Sequence, residues 1–288
     1  ASSGRATALG VAAFFGRREI AELLLEKGAD IDKGDNENDA TALFQAVFGM
    51  ESEMAAFLVE RGADVNRKTR PGMSPLMLAS TSKQAGIAAM LLERGADVAA
   101  RDEEGRTPLM YAATSGSPEI VGFLLDRGAQ ADEISKGGAT ALMAAEEGHE
   151  DIVGMLLERG ADAKFRNDLG WTALWSAVDN GRAEIVSLLI EKGAEVDVPL
   201  TGELGVNNPT PLHLAIYRRK PEIARMLIEA GTDVDAKNAT GLTPLMRAAW
   251  TEQADIVKLL VEKKADVNAR GEKNRTALWY AKKVNNKE

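Results

Sequence analysis

Only two histidines stand among the 288 residues of this chain, and cysteine is absent. His213 lies in "TPLH" and His149 in "GHEDIV", two segments whose pattern recurs along the chain, so both rings are expected to be structural. The absence of cysteine excludes disulfides, thiolate zinc sites and a cysteine nucleophile. We therefore expect no catalytic residue of either type.

Other segments that could hold a ligand are also weak candidates. The oxygen-rich "DNEND" at 35–39 lacks the glycine and the distal glutamate of a calcium loop, which favours a solvated acidic turn. Neither a Walker-type loop nor a Gly-x-Gly-x-x-Gly loop occurs, so a nucleotide site is not expected. The sequons "NAT" at 238 and "NRT" at 274 are interpreted as turn chemistry unless the chain meets a glycosylation machinery. The sequence thus predicts no enzyme, no metal and no cofactor.

Composition narrows the class of partner. Hydrophobic residues make up 45% of the chain and charged residues 27%, which is ordinary for a globular protein. A net charge of −9 argues against a nucleic-acid partner, because phosphate binding needs a basic field or a dominant basic stripe. No apolar run approaches the roughly 18 residues that suggest a membrane span, so no membrane partner is expected. A cytoplasmic location is favoured, and export stays open because the chain begins at Ala1 rather than Met.

The elements that must position any site are set by a repeat. A marker of the form Thr-x-Leu, or Ser-Pro-Leu in one unit, begins at residues 7, 41, 74, 107, 140, 172, 210, 243 and 276, in steps of 34, 33, 33, 33, 32, 38, 33 and 33 residues. A second marker, Gly-Ala-Asp or a near copy, lies at 28, 62, 95, 128, 160, 193, 231 and 264. The apolar runs between the markers predict helix, turn, helix in every unit. The Thr or Ser of the marker is suited to the N-cap of the first helix, and in four units Pro follows at the first helical position. The Gly after the second helix is suited to a left-handed C-cap.

The segment "TPLMYAATSGSPEIVGFLLDRGA" at 107–129 resembles the ankyrin repeat almost position by position, and the pattern covers nearly the whole chain. The resemblance implies an all-α fold, an ankyrin-repeat solenoid of stacked antiparallel helix pairs. It also implies β-turn or hairpin fingers that project from the junctions, a concave groove along fingers and inner helices, and a bond from the His213 ring to finger backbone. Lys83, Glu252 and Lys264 replace glycines of the pattern, which puts the geometry of those turns, and not the fold, in question.

We predict one domain over 1–288, with eight helix pairs and a shortened ninth unit. The predicted repeats are 1–33, 34–67, 68–100, 101–133, 134–165, 166–198, 199–236 with a five-residue finger insertion, 237–269, and 270–288 as a truncated C-terminal cap. One unit cannot bury its own apolar face, so neighbouring units must stack to form the core. The leucines predicted to hold equivalent core positions in the second helices are Leu24, Leu58, Leu91, Leu124, Leu156, Leu188, Leu227 and Leu259.

The repeat frame places two residues of each unit at the end of the inner helix, which opens onto the groove in the ankyrin family. These pairs are Phe14 and Phe15, Phe48 and Gly49, Thr81 and Ser82, Thr114 and Ser115, Glu146 and Glu147, Asp179 and Asn180, Tyr217 and Arg218, and Trp250 and Thr251. Exposed Trp and Tyr are frequent binding hot spots. The partner contacts predicted at these positions are Phe14, Phe15, Phe48, Tyr217, Arg218 and Trp250. For Phe14 and Phe15 the alternative is that they cover the end of the first unit, which lacks a neighbour, or contact Phe48.

The fingers form a second predicted contact line. Their tips lie at 34–40, 67–73, 101–106, 135–139, 166–171, 237–242 and 270–275, the first acidic and the second basic, and plain solvated surface is the alternative for these charges. Leu169, Trp171 and Leu242 are predicted to add apolar side chains to the tips. The 38-residue step maps to 196–209, where five extra residues lengthen one finger. The predicted extended tip consists of Leu200, Leu204 and Val206, and neutral drift of a loop is the alternative.

These features favour a non-enzymatic, monomeric scaffold that binds one partner protein through the groove. Trp171, Tyr217 and Trp250 are its expected anchors, with the three phenylalanines as a second patch. One alternative is an inhibitor or immunity-type protein that blocks a partner enzyme's active site with the finger 196–209. An alternative of another class is a designed or structural repeat array without a native ligand.

Overall fold

The computed structural model describes residues 6–145, 149–201 and 208–285. Within these ranges the secondary structure is helical and contains no strand, as the sequence predicts. Residue contacts divide the chain into two compact units, Ala1–Ala161 and Asp162–Glu288, which are described in turn as unit 1 and unit 2. No helix in the described ranges is long and apolar enough to cross a membrane.

Unit 1 contains five helix pairs among its described residues. They are α1 Ala8–Phe14, α2 Arg18–Glu26, α3 Ala42–Phe48, α4 Ser52–Glu60, α5 Pro75–Thr81, α6 Ala85–Glu93, α7 Pro108–Ser115, α8 Pro118–Asp126, α9 Ala141–Ala144 and α10 Glu150–Glu158. The first helices of successive pairs pack against one another from α1 to α9, and the second helices do so from α4 to α10. The unit is therefore built from two helical layers.

Unit 2 contains three helix pairs and a final helix in the part that the structure describes. They are α11 Ala173–Asn180, α12 Ala183–Glu191, α13 Pro211–Tyr217, α14 Pro221–Glu229, α15 Pro244–Trp250, α16 Ala254–Glu262 and α17 Ala277–Asn285, with a 3₁₀ turn at Glu272–Asn274. Helices α11, α13, α15 and α17 form one layer, and α12, α14 and α16 form the other. Every helix pair of both units lies within one predicted repeat, and α17 lies within the predicted cap.

Helix starts follow the Thr-x-Leu marker. The hydroxyl of the Thr or Ser accepts a hydrogen bond from the backbone N–H three residues on, as Thr41 Oγ1 does from Phe44 N at 3.3 Å. Proline occupies the first position of α5, α7, α13 and α15. The glycine after the second helix takes φ between 84° and 90° at Gly28, Gly62, Gly95, Gly128, Gly160, Gly193 and Gly231. Lys264 takes the same left-handed region with φ 68°, so the turn survives without glycine.

The turn between the two helices of a pair also needs a left-handed residue, and four pairs supply it without glycine. Met50, Lys83, Arg219 and Glu252 have φ of 61°, 56°, 55° and 59°. The repeat frame had marked only Lys83 and Glu252 as departures. A left-handed conformation costs an L-residue about 1 kcal/mol, so each of these turns is held by the packing of the helices on either side.

The leucines of the second helices form the core of each unit. Five of the predicted set are fully buried, namely Leu58, Leu91, Leu124, Leu156 and Leu227. Leu24 is only partly buried in α2, the second helix of the first pair. The prediction of Leu188 and Leu259 is wrong, because both are partly exposed and the register counted back from the following turn selects their neighbours. Leu189 and Leu260 fill these core positions with no accessible surface.

The fingers are closed at their bases and joined to one another within each unit. A backbone hydrogen bond closes each base, as from Asp102 N to Arg106 O at 3.1 Å. Further backbone bonds join neighbouring fingers, from Arg70 N to Asn38 O at 2.7 Å, Lys136 N to Glu104 O at 2.8 Å and Glu272 N to Thr240 O at 3.2 Å. Backbone contacts therefore contribute to fixing the positions of the fingers.

Candidate binding surfaces

Five of the six aromatic residues predicted to make contacts, all except Trp171, lie at the ends of four first helices. Phe14, Phe48, Tyr217 and Trp250 are the final residues of α1, α3, α13 and α15, and Phe15 is the C-cap of α1. Each of these helices is seven residues long and buries the leucine at its second position and at least one alanine. The final residue is therefore left at the edge of the buried stripe.

Phe14, Phe15 and Phe48 form a surface that we call the N-terminal aromatic patch. Phe15 is 57% exposed and Phe48 59% exposed, while Phe14 is partly buried between them. The Phe14 ring meets Phe15 edge-to-face at 4.9 Å and Phe48 at 5.9 Å between centroids. Gly49 makes this approach possible, because a Cβ there would lie 2.3 Å from the Phe14 carbonyl oxygen. The rings do touch one another, as the end-covering alternative requires, yet two of them still face solvent.

A cavity of about 110 Å³ opens beside the N-terminal aromatic patch. Its lining includes Val11, Phe14, Phe15 and the side chains of Asp35 and Gln45. The Asp35 carboxylate already accepts hydrogen bonds from the backbone N–H groups of residues 37 and 38, at 3.1 and 2.7 Å. The acidic "DNEND" segment therefore stabilises its own turn through hydrogen bonds to Asp35. The surface beside it is mainly apolar.

Tyr217, Arg247 and Trp250 form a second surface, the C-terminal aromatic patch, within unit 2. Tyr217 is 59% exposed and Trp250 is 42% exposed. The Arg247 guanidinium lies over both rings, 5.3 Å from each centroid. Trp250 also packs on the buried ring of Tyr280 at 5.7 Å. This patch thus combines two exposed rings with a cation held between them.

Arg247 was missing from the sequence prediction, although its spacing gave a signal. It lies three residues before Trp250 on α15, and residues at that spacing share one helix face. Burial lowers the pKa of its guanidinium, while the hydroxyls of Tyr217 and Tyr280 act in the opposite direction. Its Nε is enclosed and has no hydrogen-bond partner among the residues that the structure describes.

Arg218, a predicted contact, is exposed but already paired. Its Nε and one terminal nitrogen donate to Asp179 Oδ1 at 2.8 and 2.7 Å. The pair links the C-cap of α13 to α11, and both partners are accessible to solvent, so its net contribution to stability is small. The charge of Arg218 is therefore neutralised within unit 2.

Trp171 is fixed more firmly than an open finger tip would be. It is partly buried, its Nε1 donates to Ser176 Oγ at 2.6 Å, and its ring stacks on Trp175 at 6.1 Å. Trp175 is fully buried and donates its own Nε1 to the Val198 carbonyl at 2.7 Å. Leu169, on the same finger, is exposed. Among these side chains Leu169 is the one available at the tip.

The prediction that Leu200 and Leu242 offer exposed apolar tips is wrong. Leu200 is 5% exposed and Leu242 is 8% exposed. Leu242 packs with Met246 and Tyr280, because the base of a finger lies against the first helix that follows it. Leu204 and Val206 lie outside the described residues. At the base of this long finger, Leu200 N donates to the carbonyl of residue 209 at 3.1 Å.

His213 fills the structural role that the repeat implies. Its Nε2 donates to the Leu242 carbonyl at 2.9 Å, and its Nδ1 accepts from Thr210 N at 3.3 Å. Burial lowers the pKa of the imidazole to about 4, the hydrogen bond to Leu242 raises it, and the nearby Arg247 charge lowers it further. The neutral ring therefore ties α13, the helix that ends at Tyr217, to the next finger.

Side-chain hydrogen bonds also fix the finger at 101–106 in unit 1, as His213 does for the finger at 237–242 in unit 2. The Tyr111 hydroxyl donates to Asp102 Oδ2 at 2.6 Å, and Arg106 Nε donates to the same oxygen at 2.8 Å. Burial and the bond to Asp102 raise the pKa of Tyr111 to about 12. Burial alone would raise the pKa of Asp102, but the bonds from Tyr111 and Arg106 lower it overall. His149, also in this unit, is the N-cap residue of α10, as its sequence position predicts.

Neither unit presents a metal site in its described residues, where no group of three or more His, Cys, Asp or Glu side chains is placed to hold an ion. The predicted contact positions Glu146 and Glu147 lie outside those residues. Within the described residues the arrangement offers aromatic rings, a guanidinium without an ion-pair partner and hydrogen-bonded fingers.

Comparison with known proteins identifies the repeat. A family model described as ankyrin repeats in three copies matches residues 2–69, 67–135, 130–199 and 200–271. Two curated relatives are protein phosphatase 1 regulatory subunit 27 of Homo sapiens and of Mus musculus, each 44% identical over 72 residues. That match covers 25% of this chain and 44% of each relative, so the chain spans less than half the length of these proteins.

Proposed function

The chain belongs to the ankyrin-repeat family, and on that premise we propose that it binds a partner protein along its fingers and the ends of its first helices. The observation that carries the proposal is the exposure of two aromatic rings, Tyr217 and Trp250, at one repeat-equivalent position of unit 2. Exposed Tyr and Trp dominate the energetics of many protein interfaces. The family and the regulatory-subunit relatives support a non-catalytic role.

Preorganisation is the proposed basis of affinity. The backbone bonds between fingers and the packing of Trp250 on Tyr280 exist before any partner arrives. Association then orders few side chains, which reduces the entropy that binding must overcome. An interface of ordinary size, about 1,600 Å² in total, would extend over several repeats.

The proposed anchors are Tyr217 and Trp250, with the N-terminal aromatic patch as a second contact region. We propose Leu169 as a flanking contact on its finger, and Trp171 is not retained as an anchor because its ring is partly buried against Trp175. Arg218 contributes as a rim charge only, because Asp179 already neutralises it.

Affinity capture with the full chain from the source cell tests this proposal. A stoichiometric protein should be recovered, and Tyr217→Ala combined with Trp250→Ala should weaken its binding about 100-fold or more. Circular dichroism and the melting temperature show whether the fold persists. Val261→Ala is the matched control, because Val261 is an exposed apolar residue on the second-helix layer. Undiminished binding by the double variant would contradict the proposal.

Control of a partner enzyme is a second candidate function. The two relatives are named as regulatory subunits of a phosphatase, and this chain carries five added residues in the finger 196–209. The catalytic subunit of protein phosphatase 1 is therefore a suitable first enzyme to assay. Deletion of 202–206 leaves the hydrogen-bonded base of the finger in place and should abolish inhibition while binding remains. Equal inhibition by the deletion variant would exclude this role for the finger.

A further inference from the structure

The Arg247 guanidinium is held close to two aromatic rings. It lies over the rings of Tyr217 and Trp250, 5.3 Å from each centroid, and the residue is partly buried. A guanidinium that stacks on aromatic faces keeps its N–H donors in its own plane, directed outward from the rings. Those donors match the two oxygens of a carboxylate.

The charge of Arg247 is also unbalanced. It forms no ion pair with any residue in the described part of unit 2, whereas its neighbour Arg218 pairs with Asp179. The enclosed Nε lacks a partner in the same part of the chain, and an unsatisfied buried donor is energetically unfavourable. Burial lowers the pKa of the group, which means that its charged form has lost solvation. A bound anion would stabilise the guanidinium charge in place of the water that burial has removed.

The surroundings of the patch are basic in an otherwise acidic chain. The turn after α13 carries Arg218, Arg219 and Lys220. Two more cations lie over the Trp279 ring, Arg275 at 3.9 Å and Lys283 at 5.3 Å. Arg218 is neutralised by Asp179, and the turn after α15 adds the acidic Glu252, so Arg219 and Lys220 leave one net positive charge on these two turns in addition to Arg247. Charge complementarity favours an anionic partner here.

We propose that Arg247 binds the side-chain carboxylate of an Asp or Glu in a partner protein segment whose apolar neighbours contact Tyr217 and Trp250. This inference rests on the proposed function and names the chemistry of the partner. A carboxylate is favoured over nucleic-acid phosphate because the chain carries a net charge of −9, which repels a polyanion, while one unpaired guanidinium suits one carboxylate.

A displayed random-peptide library, panned on the full chain, supplies defined probes. Peptides whose binding is lost with Tyr217→Ala and Trp250→Ala are synthesised, and their dissociation constants are measured by fluorescence anisotropy. They should carry an Asp or Glu beside apolar residues. Replacing that acid with its amide should weaken binding about tenfold or more, and Arg247→Gln should do the same. Arg218→Gln, the matched control, should change affinity less than about threefold.

The two losses should not add, since a double-mutant cycle measures one shared contact. The amide-substituted peptide needs no change in the protein, so the test stands even if Arg247→Gln misfolds. Patch-dependent peptides that tolerate both changes would overturn the inference and leave the proposed function standing. A library without any patch-dependent peptide would count against both. If no acid-dependent peptide is found and an oligonucleotide binds in a way that requires Arg247, the ligand of Arg247 would be a phosphate and the inference of a carboxylate would be wrong.

Discussion

The two aromatic patches occupy the same repeat position and have different chemistry. Both consist of rings at the last turn of first helices, and both leave about half of a ring exposed. The residue three positions earlier decides the difference: it is Gln45 before Phe48 and Arg247 before Trp250. In the N-terminal aromatic patch rings therefore contact rings, and in the C-terminal aromatic patch rings enclose a cation.

This difference teaches how one repeat can present unlike surfaces. A cluster of phenylalanines offers apolar area with little directional preference. Rings around a guanidinium add a charge with fixed donor directions, which selects among partners by their acids. The C-terminal aromatic patch is therefore expected to determine specificity, and the N-terminal aromatic patch to add contact area.

The largest expected effect separates the patches directly. Tyr217→Ala with Trp250→Ala should weaken partner binding about 100-fold or more, and Phe15→Ala with Phe48→Ala about tenfold or less. Dissociation constants from surface plasmon resonance provide the measurement, with circular dichroism as the control for folding. A greater loss from the phenylalanine pair would reverse the comparison.

Stability should differ between the helices that carry the two patches. His213 ties α13 to the next finger, whereas the corresponding positions of α1 and α3 hold Gly10 and Phe44. His213→Ala should destabilise the chain by about 2 kcal/mol, because it leaves the Leu242 carbonyl without its donor. Urea unfolding measures the change. His149→Ala is the matched histidine control and should cost less than about 1 kcal/mol.

Lowering the pH should destabilise unit 2 through protonation of the His213 ring. The unfolded imidazole titrates near 6.5 and the folded one near 4, so the unfolded state binds a proton first as the pH falls. Stability is complete above pH 6.5 and is lost as the pH falls towards 4, by about 3 kcal/mol at most. Urea midpoints between pH 7 and 4 should show this slope in the wild type. An equal slope in His213→Gln would assign it to other groups.

The smallest expected effects come from the turns after the patch helices. Met50→Gly and Arg219→Gly should each raise the free energy of unfolding by up to about 1 kcal/mol, because glycine accepts the left-handed conformation. Thermal unfolding measures both. A loss of stability in either variant would show that the side chain stabilises more through packing than its backbone costs.

The sequence predicted the fold because each unit repeats the same local signals. The threonine caps, the glycine turns and the apolar stripes all agree, which fixes the helix pairs. The register of two core leucines is wrong by one residue at Leu188 and Leu259, although counting back from the turn at Gly193 and Lys264 selects Leu189 and Leu260. The local pattern therefore predicts the type of each element more reliably than it predicts which side chains of that element are buried.

The candidate site was less predictable from sequence because exposure depends on tertiary contacts. Leu200 and Leu242 belong to fingers by sequence, yet their burial follows from packing against the next helix. The spacing of Arg247 from Trp250 indicates a shared helix face, but its contact with Tyr217 depends on the packing of α13 against α15. Residues that are distant in the chain create both features.

Site-specific photo-crosslinking tests the central claim most directly. Benzoylphenylalanine placed at Tyr217 occupies an exposed aromatic position at the end of a first helix, and the same group at Val261 occupies an exposed position on the second-helix layer. Irradiation in the source cell should crosslink one partner protein from position 217 and none from position 261. Crosslinking from position 261 alone, or from neither position, would contradict the account.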